Sequence, residues 1–190
     1  MGLLSEIKSC KICENHLPHP PNPILSFSSQ SKILIVGQAP GRVVNEKGVP
    51  FDDKSGETLR KWLDVSREEF YDTNNFGIVP MGFCYPGKGK SGDLPPRKEC
   101  AETWHEKVLE EIRSPKMIIL IGAYAQKYYL SKTMKRNLTE TVRDFHLYLP
   151  KFFPIVHPSG LNFRWQAKNP WFVEEIIPIL KYEVKKILKP

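Results

Sequence analysis

Two short segments and four cysteines carry the residues best suited to chemistry in this 190-residue chain. Gly37-Gln38-Ala39-Pro40-Gly41 follows one apolar run, and His157-Pro158-Ser159 follows another. Glycine permits close backbone approach, proline stiffens a turn, and histidine is the side chain most easily tuned as donor or base near neutral pH. Either segment alone is a weak signal, because small residues often finish a strand and a lone histidine is often a hydrogen-bonded core group. Their joint occurrence after the first and last strand-like runs is a much stronger sign of a shared site. The cysteines are Cys10, Cys13, Cys84 and Cys100. Cys10-Lys11-Ile12-Cys13 is a CxxC, and fifteen residues separate Cys84 from Cys100. A thioredoxin-type dithiol would open a helix after the first strand, whereas this pair precedes it. Four thiolates suit a [4Fe–4S] cluster or tetrahedral zinc.

These residues need elements to hold them. Lys32 to Gly37 (KILIVG), Phe76 to Val79, Met117 to Ile121 and Phe152 to Val156 are short apolar runs of the kind expected for parallel strands buried on both faces. Helical patterns lie between them. Ser55 to Val65 places Leu59, Trp62 and Leu63 on one face, and Arg97 to Arg113 repeats with Trp104, Val108, Leu109 and Ile112. Ala123 to Leu130 follows a strand directly, and Asn169-Pro170 should start a last helix that Pro178 kinks or splits. The alternation predicts an α/β fold with a mostly parallel central sheet of four strands flanked by helices. In such sheets ligands bind beyond the carboxyl ends of the strands, where both motifs fall. Leu17 to Ser31, rich in Pro and Ser, and the long Cys84 to Cys100 segment break the rhythm. A segment of the second kind is usually functional or pinned.

Length and composition bound the rest. The chain is long enough for one domain with a real core, residues 1–190, with the cysteine-bearing segment 1–31 tied to the main body. Hydrophobic residues make up 41%, which excludes a disordered or fibrous chain. Lys and Arg total 28 against 21 Asp and Glu, a formal charge of +7 that favours a polyanionic partner. No apolar run approaches the ~20 residues of a membrane span. The N-terminus lacks the apolar core of a signal peptide, and Glu6 stands where a myristoylation motif needs Ser or Thr. A cytoplasmic monomer with no obligate protein partner is expected, in a compartment where structural disulfides are rare.

The chain resembles the uracil-DNA glycosylase superfamily, and within it the bacterial and archaeal iron–sulfur branch, from Cys10 to the C-terminal helix. Gly37 to Gly41 is similar to the family's first motif. Gly48-Val49-Pro50-Phe51 is similar to the segment whose aromatic ring stacks on an extruded base. His157-Pro158-Ser159-Gly160-Leu161 is similar to the last motif, which joins an electrophilic histidine to an apolar wedge. The resemblance implies a three-layer α/β/α sandwich and a DNA glycosylase that cuts the N-glycosidic bond of a flipped, deaminated base, uracil by default. It implies catalysis by His157 and Gln38, with Gly37, Ala39, Pro40, Gly41, Phe51, Pro80 and Ser159 around the substrate. DNA contacts would come from Leu161 as wedge, from Arg164 after it, and from Lys88 and Lys90 as phosphate ligands. The spacing of Cys10, Cys13, Cys84 and Cys100 is similar to that of the iron–sulfur enzymes, which favours the cluster over zinc.

Two positions depart from the family pattern. Gln38 stands where the iron–sulfur enzymes carry Glu to activate water, and an amide can hold water but not deprotonate it. Pro80, four residues before Cys84, stands where Asn reads the uracil edge. Glu46, Asp52 and Asp53 are candidate replacement carboxylates, each also readable as surface charge. Alternatives from other classes are a non-catalytic nucleic-acid-binding protein on the same fold and an N-glycosidase of free nucleosides or nucleotides. Leu161 speaks against the last, since a wedge has no use on a free nucleoside.

Overall fold

The computed structural model describes residues 2–113 and 115–189. Its strands are β1 (Ile33–Val36), β2 (Phe76–Ile78), β3 (Lys88–Gly89), β4 (Gly92–Asp93), β5 (Met117–Ile121) and β6 (Phe152–Ile155). Its α-helices are α1 (Leu3–Lys8), α2 (Arg42–Lys47), α3 (Lys54–Leu63), α4 (Arg67–Tyr71), α5 (Lys98–Ile112), α6 (Gly122–Leu130), α7 (Leu138–Arg143), α8 (Phe163–Lys168) and α9 (Ile177–Leu188). The four apolar runs read from the sequence are β1, β2, β5 and β6. They form one sheet in the order β2-β1-β5-β6 with every pairing parallel. Each is short, and β1 and β5 are buried along their whole length.

Strand alternation then dictates two cores. Ile33, Ile35, Ile119, Ile121, Phe153 and Ile155 face one side, where Leu59 and Leu63 of α3 and Leu180 and Val184 of α9 cover them. Leu34, Val36, Ile118 and Leu120 face the other, against Trp104 and Val108 of α5 and Ile7 of α1. The result is a three-layer α/β/α sandwich.

Local signals set several boundaries. Asp53 caps α3, its Oδ1 accepting the Gly56 N–H at 2.8 Å. Ser66 and Glu69 form a reciprocal capping box on α4. The C-terminal helix starts at Asn169-Pro170 as expected, the Asn169 carbonyl accepting the Phe172 N–H at 3.1 Å, but its cap differs. The Asn169 side chain does not cap the helix after it; its Nδ2 donates back to the Trp165 carbonyl at 2.8 Å, closing α8. Pro178 lies in the first turn of α9, where the helix changes from π to α. A π-helical turn over Phe172–Ile176 precedes it, and Ile177 N–H bonds to Phe172 O. Widening that turn accommodates a residue that cannot donate to the carbonyl four back.

The Pro- and Ser-rich stretch is ordered by the sheet edge. Ser26 and Ile78 exchange backbone hydrogen bonds at 3.0 and 2.6 Å as an antiparallel bridge beside β2, and Ile24, Leu25 and Phe27 are buried. The Cys84–Cys100 segment contains the two-residue antiparallel hairpin β3–β4 with Lys90 and Ser91 at its tip.

Candidate active site

The chain leaves β1 toward β2 on one side of the sheet, while β5 lies on the other. The crevice between β1 and β5 is therefore the switch point at which an open α/β sheet binds ligands. A cleft of about 470 Å³ lies there. Its walls come from the residues after all four strands: Gly37 to Gly41 after β1, Pro80 after β2, Gly122 to Tyr124 after β5, and Val156, His157 and Ser159 after β6. Phe51 and Leu161 complete it. Every substrate-side residue expected from the sequence thus meets at one place.

His157 is half-buried and held from two sides. Its Nδ1 accepts the Ser159 backbone N–H at 3.2 Å, and its carbonyl accepts Asn162 Nδ2 at 2.7 Å. With Nδ1 an acceptor, the neutral ring carries its proton on Nε2. Burial pushes the imidazole below its ordinary pKa, opposed by the charges of Asp53 and Asp93. The ring is therefore neutral at pH 7 and presents one N–H donor. Gln126 on α6, buried in the sheet end, donates to Ile155 O at 2.9 Å and Leu120 O at 3.3 Å, fixing the exit of β6 two residues before His157.

Phe51 occupies a left-handed backbone conformation, φ 54°, which costs a non-glycine residue about 1–2 kcal/mol. Two glycines make room for it. A Cβ on Gly37 would lie 3.3 Å from Phe51 Cζ, and one on Gly56 would lie 1.7 Å from the Phe51 carbonyl oxygen. The ring lies edge-on to Phe70, centroids 6.4 Å apart. Strain held at a cleft wall by such close packing is a common mark of a functional position.

Leu161 is 81% exposed at the cleft rim, and Phe163 beside it is 62% exposed. An apolar pair left so open is unusual beside a well-filled core. Trp165 anchors it: its Nε1 donates to Thr139 Oγ1 at 2.9 Å, and its ring packs edge-on to Trp171 and Phe172. Arg164 is exposed with its guanidinium 5.6 Å from the Phe163 ring centroid. Lys88 and Lys90 are exposed on the β3–β4 hairpin. None of these three cations lines the cleft itself.

The carboxylates sort differently from the sequence reading. Asp52 pairs with Arg67 at 2.8 Å and Lys47 at 3.3 Å, and the Arg67 hydrogen bond is the main reason its pKa is lowered. Glu46 pairs with Arg42 at 2.6 Å on the exposed side of α2. Of the three candidates only Asp53 lines the cleft, and its Oδ1 is occupied as a helix cap. Asp93, which no pattern singled out, lines the cleft from β4. The hairpin is tied to the first motif by Gln38 Nε2, which donates to Leu94 O at 3.2 Å. Pro80 is buried and its carbonyl accepts from His105 Nε2 at 3.0 Å. His105, another residue without a sequence signal, bonds Tyr129 OH through Nδ1 at 2.8 Å and stacks on Phe83.

All four cysteines are free and line one small apolar cavity of about 20 Å³ with Ile12, Leu17, Pro23, Phe83 and Trp104. Among the described residues, no group of three or more His, Cys, Asp or Glu side chains is arranged to hold a metal ion. The donor set nonetheless fits a thiophilic group. Burial pushes Cys84 up to about 11 and Cys100 up to about 12, so these thiols stay protonated at pH 7 without a cation to hold them as thiolates. Trp104, which lines the cavity, has a buried Nε1 with no partner among the described residues. Arg97 and Glu99 form an ion pair at its edge.

The sheet order and the position of the cleft define an α/β protein with a cleft at the switch point of its sheet. The family match is more specific. The model of the uracil DNA glycosylase superfamily matches residues 26–181, and the chain belongs to that superfamily. It is similar to proteins named type-4 uracil-DNA glycosylase from three organisms. The Archaeoglobus fulgidus protein is 28% identical over 88% of this chain and 85% of its own length. That from Sulfurisphaera tokodaii is 25% identical over 96% of this chain and 80% of its own length. That from Thermotoga maritima is 27% identical over 85% and 82%.

Proposed function

We propose that this protein is a DNA N-glycosylase that hydrolyses the bond between deoxyribose and a damaged base, uracil or another deaminated base, extruded from the duplex. The observation that carries the reading is the neutral His157, its Nδ1 committed to Ser159 and its Nε2–H left for the cleft that Phe51 and the exposed Leu161 also line. Breaking the bond sends an electron pair onto the leaving base, and a fixed donor in a half-buried site stabilises that anion. Phe51 offers the flipped ring an apolar face, and Leu161 fills the gap in the stack. Gly37, Ala39, Pro40, Gly41 and Ser159 shape the wall around the sugar and base. Pro80 has no side-chain donor or acceptor, so the base edge is read by other polar groups of the cleft, and uracil need not be the preferred base. Lys88, Lys90 and Arg164 serve the phosphates outside the cleft.

The residues that would hold a metal group are Cys10, Cys13, Cys84 and Cys100, and a [4Fe–4S] cluster is preferred to zinc because their spacing resembles that of the iron–sulfur branch of the superfamily. Bound, the group would stabilise four thiolates and tie the N-terminal segment to the Cys84–Cys100 segment and α5. The work is cytoplasmic DNA repair by a protein acting as a monomer.

The test is single-turnover excision from duplex and single-stranded oligonucleotides bearing uracil, hypoxanthine or xanthine, by the parent and by His157→Ala. The parent should cut at least one, and a folded His157→Ala should be slower by ~10²–10³. Equal rates refute the role of His157. A second reading, a binding protein without turnover, draws on Gln38, whose amide is engaged by Leu94 O. It is favoured if the parent binds these oligonucleotides and cuts none.

A further inference from the structure

We propose that Asp93 is a catalytic residue of the cleft, the carboxylate that orients and deprotonates the attacking water in place of the one missing at Gln38. The inference rests on the glycosylase reading and names a residue in it.

Hydrolysis needs a water aimed at the sugar carbon and a base to take its proton. Gln38 cannot be that base, and its Nε2 is already donated to Leu94 O. The same hydrogen bond draws the β3–β4 hairpin over the end of β1, and Leu94 is the residue after Asp93. A Cβ on Gly41 would lie 3.4 Å from Asp93 Oδ2. The carboxylate thus reaches across the motif loop at a point where that loop carries no side chain. It lines the cleft that His157 lines. Its charge acts on the half-buried ring of His157, partly offsetting the effect of burial there, and on the Tyr85 phenol, which is raised first by burial and then by Asp93 and shares a hydrogen bond with it.

The competing acids are engaged elsewhere. Asp52 is held by Arg67 and Lys47, Glu46 by Arg42, and Asp53 by the Gly56 amide. Asp93 has no ion-pair partner among the described residues. It sits on a hairpin whose tip bears Lys90, so the cations that would meet phosphate and the carboxylate that would meet water ride on one element.

The step balances without a further reagent. The C1′–N bond breaks and its electron pair stays on the base, where His157 Nε2–H donates to the forming anion. The water oxygen bonds to C1′, and its proton passes to Asp93. The base leaves protonated from solvent, and Asp93 returns its proton to solvent.

The experiment compares parent, Asp93→Asn, Asp93→Gly and His157→Ala in single-turnover excision on a cleaved oligonucleotide. Affinity for an abasic-analogue duplex and thermal melts are measured alongside, and Asp93→Gly is assayed with and without sodium formate. General-base catalysis is typically worth ~10²–10⁴ in rate. Asp93→Asn should therefore cut at least ~10²-fold more slowly at undiminished affinity, and formate should restore part of the rate of Asp93→Gly, which a structural role would not allow. If Asp93→Asn cuts at the parent rate while His157→Ala is slow, the proposal fails and the glycosylase reading stands. If the loss in Asp93→Asn is matched by an equal loss of affinity and formate rescues nothing, the proposal likewise fails. If the parent cuts no base, both fall together.

Discussion

Lowering the pH should destabilise this protein through His105, and the size of the effect follows from where that ring sits. His105 on α5 is 1% exposed. The Pro80 carbonyl can only accept, so Nε2 carries the proton and Nδ1 accepts from Tyr129 OH. Burial depresses the imidazole from 6.5 to about 4, against a smaller opposite effect of the Pro80 hydrogen bond. A histidine depressed in the folded state contributes its full share of stability above the unfolded pKa. That share is lost as pH falls from 6.5 toward 4, because the unfolded chain takes up a proton that the folded one refuses. At 1.36 kcal/mol per pKa unit, the loss between pH 7.5 and pH 4.5 is about 2–3 kcal/mol. Other titrating groups act in the same range, so the assay is a difference. Urea unfolding of the parent and of His105→Gln is followed from pH 7.5 to 4.5 with both proteins in the same metal state. Gln cannot titrate, and the remaining groups are common to both proteins. The parent's advantage at neutral pH should shrink by about 2–3 kcal/mol in acid. An advantage that stays constant across the series, or a His105 resonance titrating near 6.5, would falsify the assignment of a neutral ring under Pro80.

Two further outcomes are expected. Affinity for duplex DNA should fall steeply between 50 and 200 mM salt, and Lys88→Glu with Lys90→Glu should reduce the slope of log K against log salt by up to about 2, one phosphate each; an unchanged slope removes both lysines from the interface. Gentle purification should give a brown protein that contains iron and absorbs near ~400 nm, and Cys100→Ser should lose both colour and iron. A colourless parent with stoichiometric zinc would replace the cluster by zinc, and one with neither metal after anaerobic reconstitution would remove the metal reading.

What could be read from the sequence, and what could not, divides by the range of the interaction. The four strands were legible because a strand buried on both faces is a continuous apolar run, and β1 and β5 are that. Once their alternation with helices is granted, the sheet order makes the carboxyl ends converge. The motifs after β1 and β6 therefore had to meet, and Gly37 to Gly41, His157 and Ser159 do. The Asn169 side chain does not cap the last helix because it lies between two helices and closes the earlier one. The order of Leu17 to Ser31 is not legible in its own residues because its support, the Ile78 backbone, lies across the sheet edge.

Asp93 was not legible at all. It is an exposed residue of a two-residue strand inside a Pro-, Gly- and Lys-rich segment, where neither helical nor strand periodicity can declare which side chain reaches the cleft. Its place is set by a hydrogen bond between residues fifty-six apart, Gln38 and Leu94, and by a glycine that lets the hairpin close on it. The same hydrogen bond changes the meaning of Gln38. Read alone, the glutamine is a lost carboxylate and argues for a retired enzyme. Read with its partner, it is the tether that holds the hairpin, and with it a different carboxylate, over the first motif. Replacing Gln38 by Glu would then do more than restore a base, since a carboxylate cannot donate to Leu94 O and would face Asp93 as a like charge across the same lip. The two sites have to be varied together for the origin of the attacking base to be assigned.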